Sequence, residues 1–265
     1  MSPHRPFQAP DLASPEHRRL IGGVLCFKEI ESTNAYLLRH APELPDGVIA
    51  VTELQTAGRG RLGRRWTAPR GAGVLVSVLV REPVLTPLRS LGAAVGAVAA
   101  VESIRSVTDC DAAIRWPNDV TINGRKVAGV LAEVASPPGN GLAVVIGVGI
   151  NCLQQRGHFE GDLREKATSL EIESSRPVDR HAVARALVSA MDKWLADAPH
   201  RGFAERLNAN WRGACRDAGS HVTLRQGEAL FAGVVQEIDA DAALVVRLDD
   251  GGERRFEPET TTRAW

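Results

Sequence analysis

Lysine is nearly absent from this chain: Lys28, Lys126, Lys166 and Lys193 are the only four among 32 basic residues in 265. Where a plain positive charge serves, the sequence writes Arg, so a lysine in a functional-looking context carries unusual information. Net charge is absent too, with 32 acidic residues balancing the basic ones. That excludes a protein-wide basic field for nucleic acid, and any anion site must be local. Cys26, Cys110, Cys152 and Cys215 are scattered, without a C-x-x-C pair or metal-ligand spacing; they read as structural thiols of a reducing compartment. A single Tyr leaves little for base stacking. No G-x-x-x-x-G-K-[ST] occurs, which excludes a P-loop. Met1 to Leu20 lacks the apolar stretch of a signal peptide, and Leu91–Val101 is too short and Ala/Gly-rich for a membrane span. These absences predict a cytoplasmic globular protein with no membrane partner and no DNA partner.

The pattern that is present predicts a flexible N-terminal arm over residues 1–22, a main domain over 23–217 and a small β-barrel over 218–265. In the main domain, strands are expected at Val24–Ile30, Val48–Leu54 and Gly73–Arg81. A short helix runs from a Ser32 or Thr33 cap to His40. Gln55–Ala72 reads as a long loop, and Leu88–Val107 as a helix packed closely on a sheet. Ala112–Trp116, a Pro117-Asn118-Asp119 corner, Val120–Ile122, the Asn123-Gly124 turn and Arg125–Val134 follow as a hairpin region. Pro137–Gly141 turns into a strand at Leu142–Ile150. Asp179 caps a helix to Ala198, which continues over Gly202–Arg216. Short strands then occupy His221–Arg225, Ala229–Ile238, Ala243–Leu248 and Arg254–Glu257, with turns at Asp239–Asp241 and Asp249–Gly252. The fold class is α+β, with a mixed, largely antiparallel sheet.

Three segments carry chemistry. Gly58–Trp66 holds three glycines and four arginines in nine residues, a cationic loop suited to phosphate and carboxylate oxygens. It matches G-x-G-x-x-G, but Arg64 to Ala72 is too short and too broken by Pro69 and Gly71 for the crossover helix of a dinucleotide fold. Arg115-Trp-Pro-Asn-Asp119 followed by Gly124-Arg-Lys-Val-Ala-Gly129 is the second; by itself it is as readily a plain hairpin. Lys126, facing Gly129 three residues on, tips the reading toward a point charge set between a carboxylate and a phosphate. Gly147-Val-Gly-Ile-Asn151 is the third, with alternate glycines that flatten one strand face for a planar ring.

Together with Glu31-Ser-Thr-Asn34, Gln55-Thr-Ala-Gly58 and Phe159…Ala167-Thr-Ser-Leu170, these segments in this order resemble the biotin–protein ligase (biotin–acetyl-CoA-carboxylase synthetase) family over Val24 to Trp265. The resemblance implies a class II synthetase-like catalytic domain, as in biotin and lipoate ligases, plus a C-terminal SH3-like barrel. It implies ATP-dependent formation of biotinyl-5′-adenylate with release of pyrophosphate. Biotin is then transferred to a lysine of biotin carboxyl carrier protein. The residues it assigns to biotin are Ser32, Thr33, Asn34, Gln55, Gly58, Arg59, Gly60, Arg61, Lys126 and Gly129. Those assigned to ATP are Arg61, Arg64, Trp66, Asn118, Asp119, Lys126 and Asn151, with Asn151 on the adenine. Lys126, Arg61 and Arg64 are the catalytic set, and Asp119 the candidate contact for Mg²⁺.

The Gly/Arg loop becomes a lid that keeps water from the adenylate. Two departures from the family pattern stand out: Arg115 where Lys is usual, and Pro258-Glu259 where Gly-Glu is usual. Some twenty-three residues precede the first strand, too few for a winged helix, so the resemblance is to the monofunctional type. Exposed strand edges permit a homodimer. A lipoate or octanoate ligase of the same fold is the competing reading.

Overall fold

The computed structural model describes residues 5–81, 85–135, 142–238, 243–258 and 260–264. In chain order the elements are α1 (Ala9–Leu12), β1 (Val24–Phe27), α2 (Thr33–Arg39), β2 (Val48–Thr52), β3 (Gly73–Arg81), α3 (Leu85–Val107), β4 (Ala113–Arg115), β5 (Asp119–Ile122), β6 (Arg125–Ala135) and β7 (Ala143–Asn151). Then come α4 (Leu163–Lys166), α5 (Leu170–Glu173), α6 (Arg180–Asp197), α7 (Phe203–Ala214), β8 (His221–Gln226), β9 (Ala229–Ile238), β10 (Leu244–Leu248), β11 (Glu253–Phe256) and β12 (Thr261–Arg263).

A seven-stranded sheet runs β1-β2-β3-β7-β6-β5-β4, and only the β1–β2 pair is parallel. This is the mixed, largely antiparallel α+β sheet expected. A five-stranded antiparallel sheet, β11-β10-β9-β8-β12, follows. Four strands meander and β12 returns to pair with β8, the strand order of an SH3-like module.

Strand alternation decides where the site lies. Val74, Val76, Val78 and Val80 of β3 and Val144, Ile146, Val148 and Ile150 of β7 enter the large core under α3 and α6. The opposite face carries Leu75 and Ser77 of β3 and Gly147, Gly149 and Asn151 of β7, all beside one cleft. Period-two geometry makes this division obligatory. Helix α3 approaches closely because its own residues are small: a Cβ on Gly96 would stand 2.6 Å from Val130 Cγ1. By length and composition Leu88–Val107 could cross a membrane, yet here its apolarity serves packing against β6, β7, α6 and α7.

Several expectations need correction. Residues 5–22 do not form a loose arm, because Phe7, Leu12 and Leu20 are buried. The Asp192 carboxylate accepts backbone N–H bonds from Arg18, Arg19 and Leu20. Three apolar residues spaced this widely have no period to read. The two helical ranges expected after Asp179 do hold, as α6 to Asp197 and α7 after Gly202, whose φ of 78° is left-handed. Strand β12, short α1, α4 and α5 and the 3₁₀ turns at Arg61–Gly63 and Arg156–His158 lacked any sequence signal. The turns expected at Pro137–Gly141 and Asp239–Asp241 lie outside the described residues. Asp179 does cap α6, accepting from His181 N and Ala182 N, and Ser32 caps α2 through Ala35 N.

Candidate active site

A cleft with a cavity volume of about 250 Å³ opens on the glycine face of the large sheet. Its inner end is a polar cradle. Gln55 Oε1 accepts from Thr33 N at 2.9 Å and from Thr33 Oγ1 at 3.2 Å. Thr33 Oγ1 and Ser77 Oγ lie 2.6 Å apart, and Ser77 Oγ donates to Asn34 Oδ1 at 2.6 Å. Asn34 Nδ2 donates to Leu131 O at 3.1 Å and to Glu133 Oε2 at 3.0 Å. Ser32, Thr33, Asn34 and Ser77 are all buried, so their hydroxyls and amides must be paired, internally or with a ligand. The wall here has to be glycine: a Cβ on Gly147 would meet Asn34 Oδ1 at 2.1 Å, and one on Gly149 would meet Trp66 Cε2 at 2.6 Å.

Lys126 reaches the cleft through a bulge. Thr121 of β5 pairs with Lys126 and Val120 with Ala128, so Val127 is the extra residue. Ala128 and Val130 point into the core, and strict alternation would send Lys126 there too. With the extra residue, Val127 takes the core position and Lys126 joins Gly129 on the cleft face. Its ammonium lies 2.5 Å from Asp119 Oδ1 and 5.5 Å from the Trp66 ring centroid. Arg115 Nη2 stands 3.5 Å from Asp119 Oδ2; burial lowers the Arg115 pKa, with Asp119 opposing that shift. The Trp116–Pro117 bond is cis. Trp116 N donates to Asp217 Oδ2 at 2.7 Å, which fixes the corner from the junction between the sheets.

The Gly58–Trp66 segment is a narrow hairpin, with Trp66 N donating to Gly58 O at 3.0 Å and Gly60 N to Arg64 O at 2.7 Å. Arg59 Nη2 pairs with Glu133 Oε1 at 2.7 Å. Arg61 donates to Asn118 Oδ1 at 3.3 Å, to Pro258 O, and to Thr261 O at 3.4 Å. The Pro258 departure therefore falls where a main-chain carbonyl is the contact; Glu259 lies outside the described residues. Arg64 is exposed and lines the cleft.

Ser32, Thr33, Asn34, Gln55, Arg59, Gly60, Arg61, Arg64, Trp66, Asn118, Asp119, Lys126, Gly129 and Asn151 all border this one cleft. Gly58 does not. It is buried at the base of the hairpin, where a Cβ would stand 2.3 Å from Trp66 O, so its part is to let the two arms close. Two of these bordering residues have their side-chain groups engaged within the protein. Asn151 donates to Thr168 O at 3.0 Å and accepts from Gln154 at 2.9 Å. Asn118 Nδ2 donates to Val130 O. Asp119 has two cations and no second carboxylate beside it, and no cluster of three or more His, Cys, Asp or Glu suited to a metal exists among the described residues.

Sequence reasoning missed Ser77, Gln154, Thr262 and Arg263 of the cleft lining, and Glu133, which stands behind it on Arg59 and Asn34. A lone Ser within Val74–Val80 was the available signal for the first.

Residues 26–151 match the model of the biotin/lipoate A/B protein ligase family. The bifunctional ligase/repressor BirA of Bacillus spizizenii is 32% identical over 210 residues, 78% of this chain and 63% of that protein; the chain thus spans less than two thirds of that relative. The biotin–[acetyl-CoA-carboxylase] ligase of Paracoccus denitrificans is 35% identical over 234 residues, covering 82% of this chain and 91% of the relative. The biotin protein ligase of Aquifex aeolicus, solved in complex with biotin and ATP, superposes with a TM-score of 0.77 at 24% identity, covering 91% and 99% of the two chains. With the seven-stranded sheet, the arginine hairpin and the bulge-borne lysine at one cleft, and with relatives matched at this identity and coverage, the chain belongs to the biotin–protein ligase family.

Proposed function

We propose that the chain is an ATP-dependent biotin–protein ligase that biotinylates a lysine of biotin carboxyl carrier protein. The observation that carries it is the bulge that turns Lys126 toward Asp119 in the same cleft that holds the Thr33–Ser77–Asn34 cradle and Asn118. A biotin carboxylate oxygen attacks the α-phosphorus of ATP, forming the mixed anhydride as pyrophosphate leaves. The carrier lysine amine then attacks the carbonyl carbon, an amide forms, and AMP departs with the electron pair of the broken C–O bond. The attacking amine must be neutral, and its proton is lost in this step.

The cradle suits the ureido ring, which offers N–H donors and a carbonyl acceptor to paired, buried partners. Lys126, released from Asp119, stabilises charge on the carboxylate and phosphate oxygens. Arg61 and Arg64 supply the phosphate contacts from the hairpin. The Trp66 indole N–H is buried without a partner and is available to a ligand oxygen. Mg²⁺ belongs to the nucleotide substrate in this reading, and no step is assigned to it.

A linear lipoyl or octanoyl chain has no ring N–H donors or ureido carbonyl to exchange for the cradle's own hydrogen bonds, which disfavours the lipoate alternative. Four free thiols fit a reducing, ATP-containing compartment, the cytoplasm. Of the two activities of the bifunctional relatives, the ligase reaction is the one this cleft supports. Biotin-dependent ATP–pyrophosphate exchange, with lipoate and octanoate as controls, tests the proposal. Exchange with octanoate but not biotin would reverse it.

A further inference from the structure

Glu133 stands outside every motif in the sequence, yet it touches both halves of the site. It lies on β6 on the same face as Gly129 and Leu131, and its two carboxylate oxygens are divided between two elements. Oε1 takes Arg59 of the hairpin at 2.7 Å, and Oε2 takes Asn34 Nδ2 of α2 at 3.0 Å. Asn34 continues through Ser77 and Thr33 to Gln55. A single hydrogen-bonded chain therefore runs from the hairpin to the innermost wall of the cradle. The Arg59 side chain is 48% exposed and Glu133 20%. An ion pair that open adds little to fold stability. Its geometric consequence is larger, because it fixes one arm of the hairpin while Arg61 fixes the tip to the second sheet.

We infer that Glu133 is a positioning residue: it latches the lid through Arg59 and ties that latch, through Asn34, to the groups that bind the ring. The inference rests on the proposed function and deepens it. A ring seated in the cradle orders Asn34 and Ser77, which holds Glu133 in place for Arg59. Lid closure thereby reports ring occupancy, and an adenylate is retained longer than the lid arginines alone would hold it.

Glu133→Gln keeps an acceptor for Asn34 and removes the charge that holds Arg59. The test compares wild type, Glu133→Gln, Arg59→Ala and the double variant, by amide hydrogen exchange of residues 58–66 without ligand and by release of preformed biotinyl-5′-adenylate. Either single variant should speed adenylate release about twofold to fivefold and loosen exchange protection of the hairpin. The double variant should be no worse than the worse single, because both act through one contact. Additive effects, or unchanged protection and release in Glu133→Gln, would overturn the inference. The exchange measurement needs no substrate, so it judges the latch even if the wild type forms no biotinyl-adenylate, a result that would instead defeat the functional reading.

Discussion

The Lys126 ammonium and Asp119 Oδ1 stand 2.5 Å apart across the β5–β6 hairpin, and the bulge at Val127 makes the pair possible. Asp119 thus holds the lysine at the cleft floor, while its other oxygen faces Arg115 at 3.5 Å. In the proposed reaction the pair parks a compact charge where the biotin carboxylate and the α-phosphate would meet.

Lys126→Ala should reduce biotin-dependent ATP–pyrophosphate exchange about 10²- to 10³-fold, the usual cost of removing one transition-state donor. Lys126→Arg should recover only part, because a planar fork cannot occupy the space of a point charge beside Gly129. Near-normal exchange by Lys126→Ala would remove this residue from the chemistry.

Gly149→Ala places a methyl 2.6 Å from the Trp66 indole, and Gly147→Ala one 2.1 Å from Asn34 Oδ1. Both should weaken ligand binding with modest loss of stability, about 1–3 kcal/mol. Gly147→Ala should raise the biotin KM, since it displaces the cradle amide. Gly149→Ala should act through Trp66 and the lid. Steady-state kinetics with biotin and ATP varied separately would separate the two, and unchanged KM values for both would contradict the close approach.

What the sequence made legible were features with a local signature. The Asn123-Gly124 turn is one, with φ values of 51° and 76°; alternate glycines, the arginine run and a lysine in an arginine-rich chain are others. Lys126 was legible by scarcity, although the bulge that aims it was not. The unread features depend on distant pairings: Ser77 with Asn34 is 43 residues apart, Asn34 with Glu133 is 99, and Arg180 with Glu53 is 127. No local period encodes such contacts. Gly58 stands at the base of the hairpin and not on the cleft lining, and a glycine needed to bring two strands together looks the same in sequence as one needed to admit a ligand.

Arg180 and Glu53 form the most buried ion pair touching the site's supports, at 2.9 Å with side-chain exposures of 0% and 7%. Arg180 also donates to Arg5 O and Gly73 O, and Phe7 N donates to Glu53 Oε1. Removing one partner strands a buried charge, so Arg180→Met or Glu53→Gln should each cost about 3–5 kcal/mol. The double variant should recover part of that loss. Denaturant unfolding of the three variants checks it, and additivity of the two single losses would argue against a coupled pair.

His181 makes the packed N-terminal segment sensitive to acid. Its Nε2–H donates to Arg5 O at 3.0 Å, and Nδ1 lies 3.5 Å from Asp11 Oδ2. Burial lowers the ring's pKa from 6.5; the hydrogen bond to the Arg5 carbonyl opposes that shift, the Arg5 and Arg180 charges add to it, and the Asp11 charge opposes it. Arg5 holds the Asp11 carboxyl down at about 2, so Asp11 stays ionised through mild acid. Above pH 6.5 the ring is neutral in folded and unfolded chains alike and adds no slope. As pH falls through 6.5 the unfolded chain takes up a proton that the fold accepts only at lower pH, so stability declines across that interval and levels off beneath it. Thermal melts should therefore show a lower Tm at pH 5 than at pH 7. His181→Gln, which keeps a donor near Arg5 O but cannot titrate, should have a smaller drop. Equal drops in the variant and the wild type would place the acid sensitivity elsewhere in the chain.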